Sequence, residues 1–298
     1  MSYGSANLVI VGLGLIGGSL ARAARASGFC QRIIGYGYRA RSLQRGIELG
    51  VIDDFTLDID EAIDAADILV ICTPTLTAAD LLKDILPRLP HDGGGPVVTD
   101  VASVKGSLRD AAVKICGEMP PQLVLGHPIA GSEHSGVEAS DASLFVDHRV
   151  ILTPEEGNAS GAVALIRKLW ESTGAEVVEM SVERHDAVLA ATSHLPHALA
   201  YTLVDALSSL PDSDEVFRCA AGGFRDFTRI ASSDPTMWRD IALANRPALL
   251  EAIDQFSQHL EQLRVAVETK DGDELFATFN RAKKARDAFA GVLAERAK

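Results

Sequence analysis

Two hydrophobic patterns alternate through the first 180 residues. Short apolar runs rich in β-formers recur at NLVIVGLG, QRIIGYG, DILVICTP, PVVTDVAS, QLVLGHP, HRVILTP and AEVVEMS. Between them lie segments such as SLARAARASG and TAADLLKDILPRL, whose apolar positions recur at helical spacing. Strand and helix alternating in this way predict a mostly parallel sheet covered on both faces. From about Ser181 the strand pattern stops. The segments VERHDAVLAATSHLPHALAYTLVDAL, NRPALLEAIDQFSQHLEQLRVAVE and DELFATFNRAKKARDAFAGVLAE all carry helical periodicity. Breaks fall at Pro211 in PDSDE and at the DGD of Asp271–Asp273. The expected fold class is α/β, with a dinucleotide-binding domain of the Rossmann type over residues 1–180 and an all-helical domain over 181–298. The last helices are too long and apolar for a small lone domain, which points to an oligomer interface there.

Composition narrows the picture. A chain of 298 residues holds two domains of ordinary size, and 47% hydrophobic with 5% aromatic residues suits a core of Ala, Leu, Ile and Val. No apolar run reaches the ~18 residues of a membrane span. The N-terminus MSYGSANLVIVGLG lacks a basic region and a cleavage pattern, so the expected address is the cytoplasm. Cys30, Cys72, Cys116 and Cys219 are widely spaced and read as buried or incidental thiols. With 28 basic and 41 acidic residues the net charge is −13, which disfavours a nucleic-acid partner. One window reverses that sign: Arg218, Arg225, Arg229, Arg239 and Arg246 face only Asp226, Asp234 and Asp240 in the sequence between them. An anionic small molecule would find its positive partners there.

The segment LVIVGLGLIGGSLARAA places Gly12, Gly14 and Gly17 in GxGxxG spacing. Such spacing alone is weak, but here it follows an apolar strand and opens a helix where a first βαβ unit begins. Gly12 permits the tight turn, Gly14 lets the backbone approach a pyrophosphate, and Gly17 lets helix and strand pack closely. Leu15 and Ile16 lie in the same turn, and Thr73 and Pro74 follow the strand of DILVICTP; all four join the expected cofactor contacts. The second strand normally ends in an acid that binds the adenosine ribose. Here IIGYGYRAR has Gly37 at that point, with Arg39 and Arg41 just beyond. The absent carboxylate and the arginines tilt the expectation from NAD+ to NADP+, unless both arginines are solvated surface charges.

Three more segments hold polar residues that packing does not need. DVASVKG presents Ser103 and Lys105 after a strand, and GHPIAGSE presents His127 in the same way. SHLPHALA sets His194 and His197 one helical turn apart around Pro196. No third ligand at recognisable spacing accompanies these histidines, so no metal is expected; His194 reads as the structural member and His197 as the pocket member. Lys105 reads either as a surface lysine or as a contact near the cofactor. Arg225 and Arg239 are read as pairing with Asp226 and Asp240, and His134, Glu138 and Asp141 as a solvated loop.

DVASVKG, GHPIAGSEHSG, SHLPHALA and FTRIASSDPTMW, in this order over nearly the whole chain, resemble the prephenate/arogenate (cyclohexadienyl) dehydrogenase family of tyrosine biosynthesis. The resemblance implies an N-terminal nucleotide domain, a C-terminal helical domain that forms a homodimer, and an oxidative decarboxylation that passes a hydride to NAD(P)+. It implies that His127 accepts the proton of the ring hydroxyl and that Ser103 orients that group. A neutral imidazole suits the task, because its pKa lies near working pH. By the same pattern Arg229 binds the ring carboxylate and His197 holds substrate. Ser132 and Glu133 lie beside the substrate side chain, Trp238 packs near the pocket, and Arg246 adds charge at its mouth. The resemblance leaves prephenate and arogenate both open, with a broad cyclohexadienyl specificity expected. With the last helix followed closely by Lys298, no appended regulatory domain of the kind some relatives carry is expected, and any tyrosine feedback is expected at the active site itself. Two rival readings stand beside the resemblance: another dehydrogenase of the same two-domain plan, of the β-hydroxyacid or pyrroline-carboxylate type, and a regulator of a different class that binds NAD(P) without turnover. The first would carry a catalytic lysine on a helix, and the second would have no need of a proton acceptor.

Overall fold

The computed structural model describes residues 6–90, 93–131 and 134–296. By packing, the chain divides into two compact units, Met1–Leu249 and Leu250–Lys298.

The first unit is built on one eight-stranded sheet. Its strands are β1 (Ala6–Val11), β2 (Cys30–Tyr36), β3 (Asp54–Thr56), β4 (Ile68–Ile71), β5 (Val97–Asp100), β6 (Leu123–Pro128), β7 (Arg149–Thr153) and β8 (Glu176–Glu179). They lie in the order β3-β2-β1-β4-β5-β6-β7-β8. All neighbours are parallel except β6 and β7, so the last two strands run against the rest. All seven expected strands form. The unexpected one, β3, is a three-residue edge strand, too short to leave a periodic signal.

The helices of the sheet half are α1 (Leu15–Ala26), α2 (Ala40–Glu48), α3 (Ile59–Asp64), α4 (Thr75–Ile85), α5 (Gly106–Cys116) and α6 (Ser160–Glu171). Alternation along the central strands feeds two cores. Leu8, Ile10, Ile68 and Val70 pack on one face with Leu20, Ala24, Ile166 and Trp170. Val9, Val11, Leu69 and Ile71 pack on the other with Leu81, Leu82, Leu108 and Ala112. Successive strand side chains point to opposite faces, so a strand apolar at every position is one buried on both. Each large aliphatic side chain buried there contributes about 1.5–3 kcal/mol.

The unit continues through α7 (Val182–Leu189), α8 (Leu195–Ser208), α9 (Ser213–Arg218), α10 (Gly222–Thr228) and α11 (Pro235–Ala244) into the start of α12 (Arg246–Glu268). Between α7 and α8 the helix widens over Ala190–His194. Pro196 explains the widening, since it has no N–H to offer the carbonyl four residues back. The second unit holds the remainder of α12 together with α13 (Gly272–Arg296). It keeps large apolar side chains in solvent, among them Phe276 at 72% and Val267 at 59% exposure. No helix among the described residues is long and apolar enough to cross a membrane.

Candidate active site

Strand order reverses between β1 and β4, which is where open α/β sheets bind ligands at the carboxyl ends of their strands. The glycine turn lies at this point. Gly12 has φ +93°, and a Cβ there would stand 2.8 Å from the Thr73 side chain. At Gly17 a Cβ would stand 2.5 Å from the Gly12 carbonyl oxygen and 2.8 Å from Ile10, so only glycine lets α1 sit against β1. Around Gly14 a Cβ would meet nothing within 4 Å, and the helix that Gly14 caps has no side-chain cap and no acid in its first turn. This leaves open space before free N–H groups, the arrangement that receives a pyrophosphate. Leu15 and Ile16 open that helix, Pro74 precedes α4, and the buried Thr73 hydroxyl has no protein partner. These residues fit a dinucleotide. Arg39 and Arg41 stand exposed at the start of α2, and Arg41 lines a cleft of about 530 Å³ with Leu13, Ser42, Arg45 and Glu138.

A buried line of two histidines and an aspartate starts at the far end of β6. His127 is 8% exposed, and its Nδ1 lies 2.9 Å from Nε2 of His185 on α7. His185 Nδ1 in turn lies 2.8 Å from Oδ1 of Asp186. That carboxylate also accepts the backbone N–H groups of Lys105 at 2.9 Å and Gly106 at 2.8 Å, at the start of α5. Charge sets the protons along this line. Asp186 accepts, so His185 carries its proton on Nδ1 and offers a lone pair at Nε2. His127 must then donate from Nδ1, which leaves its own Nε2 as the basic atom.

The electrostatics agree. Burial raises the Asp186 carboxyl, but the His185 ring and the two backbone N–H groups outweigh it and hold the group below its usual range. Burial and then the neighbouring His185, Lys105 and His194 hold His127 well below 6.5, so its ring is neutral. Burial likewise lowers His185, against the pull of Asp186.

Lys105 is neither a surface lysine nor a contact displayed to the cofactor. It is fully buried, paired with the equally buried Asp100, and its Nζ donates to the Gly126 carbonyl at 2.5 Å. Asp100 Oδ1 also accepts the Gly126 N–H at 3.1 Å. The pair therefore grips both polar groups of the residue that precedes His127. Ser103 sits half-buried in the same turn, two residues before Lys105.

A second cluster forms around α8 and α11. His197 stacks on Trp238 with ring centroids 3.5 Å apart and planes at 18°. Its Nδ1 donates to the Ser193 carbonyl at 2.8 Å, so Nε2 holds the lone pair. Burial first, then the Arg229 charge, lowers its pKa below the ordinary histidine value, so Arg229 acts on this ring. His194, 2% exposed, meets the Trp238 ring edge-on at 6.2 Å.

Other expected positions fare differently. Ser132 and Glu133 lie outside the described residues. Arg246 is exposed, whereas its neighbour Asn245 is buried. Arg225–Asp226 and Arg239–Asp240 pair at 3.2 and 2.7 Å as expected. Glu138 and Asp141 are not simply solvated: Glu138 pairs with Arg45 at 3.3 Å, and the Asp141 N–H bonds the buried Ser19 hydroxyl at 3.0 Å. Together with Arg22 bonding Ser140 at 2.8 Å, these contacts strap the segment to α1 and α2.

The family model for the prephenate dehydrogenase nucleotide-binding domain matches residues 20–179, and that for the prephenate dehydrogenase dimerization domain matches residues 181–281. The chain belongs to the prephenate dehydrogenase family. It is 39% identical over 288 residues to a cyclohexadienyl dehydrogenase of Zymomonas mobilis, covering 94% of each chain. It is 38% identical to a prephenate dehydrogenase of Bacillus subtilis, over 94% of this chain and 75% of that one. Among solved structures it is similar to prephenate dehydrogenase from Aquifex aeolicus in complex with hydroxyphenyl propionate and NAD+. That likeness has a TM-score of 0.87 and 40% identity, over 95% of this chain and 97% of the other. Membership in this family of dehydrogenases sets aside the β-hydroxyacid, pyrroline-carboxylate and non-catalytic readings. The fold and the family both give the chain a nicotinamide dinucleotide cofactor.

Proposed function

We propose that this protein oxidatively decarboxylates prephenate, arogenate or both, giving 4-hydroxyphenylpyruvate or tyrosine, with His127 as the base. The observation that carries this reading is the His127–His185–Asp186 line, which leaves a neutral ring with its lone pair on Nε2. Bound nicotinamide supplies the hydride acceptor. His127 Nε2 takes the proton of the ring 4-hydroxyl as the carbon bearing it loses hydride. The ring carboxylate departs as carbon dioxide, and its bonding electrons complete the aromatic ring. Aromatisation drives the reaction, so the protein need not build a strong nucleophile. Its tasks are to hold one proton acceptor and to bind two anionic ends.

Arg229 suits the ring carboxylate, because a guanidinium presents a planar fork of donors. Its charge is felt at His197, whose Nε2 lone pair and stack on Trp238 give the substrate a polar contact beside a flat wall. Ser103 stands in the turn gripped by the Lys105–Asp100 pair and orients the hydroxyl. By the family resemblance, Ser132 and Glu133 are assigned to the substrate side chain. Arg246 adds positive charge at the mouth.

For the cofactor, Gly37 and the exposed Arg39 and Arg41 favour NADP+, with the cleft beside Arg41 taking the 2′-phosphate. For assembly, the exposed apolar side chains of α12 and α13 are the surface of a homodimer. Four assays test the reading: prephenate and arogenate, each with NAD+ and NADP+, followed by absorbance of the reduced cofactor. No reduction in any of the four would sink it.

A further inference from the structure

His127 and His197 stand on separate elements, and something must keep the proton acceptor in register with the ring-binding wall. Asn245, 3% exposed in the turn between α11 and α12, touches both arms. Its Nδ2 lies 2.9 Å from the Asp186 carbonyl oxygen and 3.1 Å from Nδ1 of His194. The carbonyl can only accept, so the amide must turn its NH2 group towards it. The second hydrogen of that NH2 then points to His194, whose Nδ1 must be the lone-pair nitrogen and whose Nε2 carries the proton. Asp186 leads through His185 to His127. His194 leads through the edge of Trp238 to His197.

We propose that Asn245 is a positioning residue that ties the proton-acceptor arm (Asp186–His185–His127) to the ring-binding arm (His194–Trp238–His197). This rests on the proposed role of His127. Both hydrogens of one amide are consumed, one by each arm, so neither aspartate nor serine replaces it without loss. Aspartate has no hydrogen to give and repels the Asp186 carbonyl. Serine has one hydrogen for two acceptors. The neighbouring Arg246, exposed and outside this network, has no such task.

The charged and titratable groups facing the cluster are Asp186 and His185 from α7, His197 from α8 with Arg229 beside it, Arg239 from α11, His127 from β6, Asp100 from β5 and Lys105 from the turn after it. Adding a carboxylate among them favours protonated imidazole. Asn245→Asp should therefore move the acid limb of the turnover profile up by about one pH unit or more, with turnover at neutral pH reduced. Asn245→Ser should lower turnover at least several-fold with little change in the Michaelis constant for the cofactor, whose turn lies elsewhere. A variant that is merely destabilised loses amplitude without moving the limb.

A measurement on the unaltered protein stands beside these. Nitrogen-15 spectra of the histidine rings at neutral pH should show His194 as the neutral Nε2–H form, assigned by its loss in His194→Gln. A His194 protonated on Nδ1, or an acid limb that stays in place in a folded Asn245→Asp protein, overturns the proposal. If His127→Asn keeps its turnover while His194 shows the Nε2–H form, the assignment of the base fails and the Asn245 contact survives.

Discussion

Nδ1 of His127 faces Nε2 of His185 across 2.9 Å, two imidazoles sharing one proton. The direction of that bond depends on a third group, Asp186. Replacing Asp186 with Asn trades the carboxylate that pins the proton to His185 Nδ1 for a neutral amide whose NH2 can donate to that nitrogen instead. The ring is then free to hold it on Nε2, which faces His127 and turns the His127 lone pair inward. Turnover should fall by about 10²–10⁴-fold, the usual worth of a positioned base. The same change weakens two backbone N–H contacts at the start of α5, so a small loss of thermal stability should accompany it. A steady-state assay and a melting curve on one preparation read both.

His127 and Arg229 should separate in kinetics. His127→Asn removes a proton acceptor needed only as the hydroxyl ionises, so kcat should drop with a modest change in KM for substrate. Arg229→Ala removes a contact made in both ground and transition states, so KM should rise more than kcat falls. If His127→Asn retains most of its turnover, the base lies elsewhere.

Stability should fall on the acid side because of His194. Burial first, against the attraction of Asp186, lowers its pKa from 6.5 to about 4 in the folded protein. The unfolded chain therefore binds a proton that the folded chain refuses in this window. Stability is full above about pH 6.5 and declines as pH falls towards 4, by roughly 3 kcal/mol for this group. Urea unfolding at pH 7 and pH 4.5 should show the loss, and His194→Gln should reduce it. His127 and His185 are lowered too, so activity should also keep its acid limb below pH 6.5.

Cofactor choice should respond to the start of α2. Arg41→Ala should raise KM for NADP+ by roughly tenfold, the worth of one charged contact of about 1.4 kcal/mol, and leave KM for NAD+ nearly unchanged. Equal effects on both cofactors would assign Arg41 to the surface rather than to the 2′-phosphate.

Local patterns carried much of this architecture. The run LVIVGLG is apolar at successive positions because β1 feeds a core on each face, and its glycines have steric reasons that spacing alone discloses. His127 stood out by its place at a strand end, and the resemblance assigned it the proton acceptor's role. His185 and Asp186 were not, because VERHDAVL reads as an ordinary amphipathic helix. A signal was nevertheless present, since His185 shares the buried face of that helix with Val182 and Leu189. Lys105 misled for a related reason: its partner Asp100 is five residues away, and only the turn after β5 folds the two together. The reversal of β7 and β8 left no trace, since a strand has the same composition in either direction. At ANRP the charge of Arg246 drew attention that the neutral Asn245 deserved.

The antiparallel entry of β7 has one more consequence. It makes β6 the last parallel strand, so the row of carboxyl ends that begins at the glycine turn stops at His127. From β1 through β4 and β5 to β6 there are three inter-strand steps, about 14 Å at ordinary strand spacing. The sheet is thus a ruler with both ends marked, and its length is set by backbone hydrogen bonds rather than by side chains. Changes of substrate within this scaffold must come from the turns and helices that overhang the scale, because the scale cannot be lengthened by point mutation.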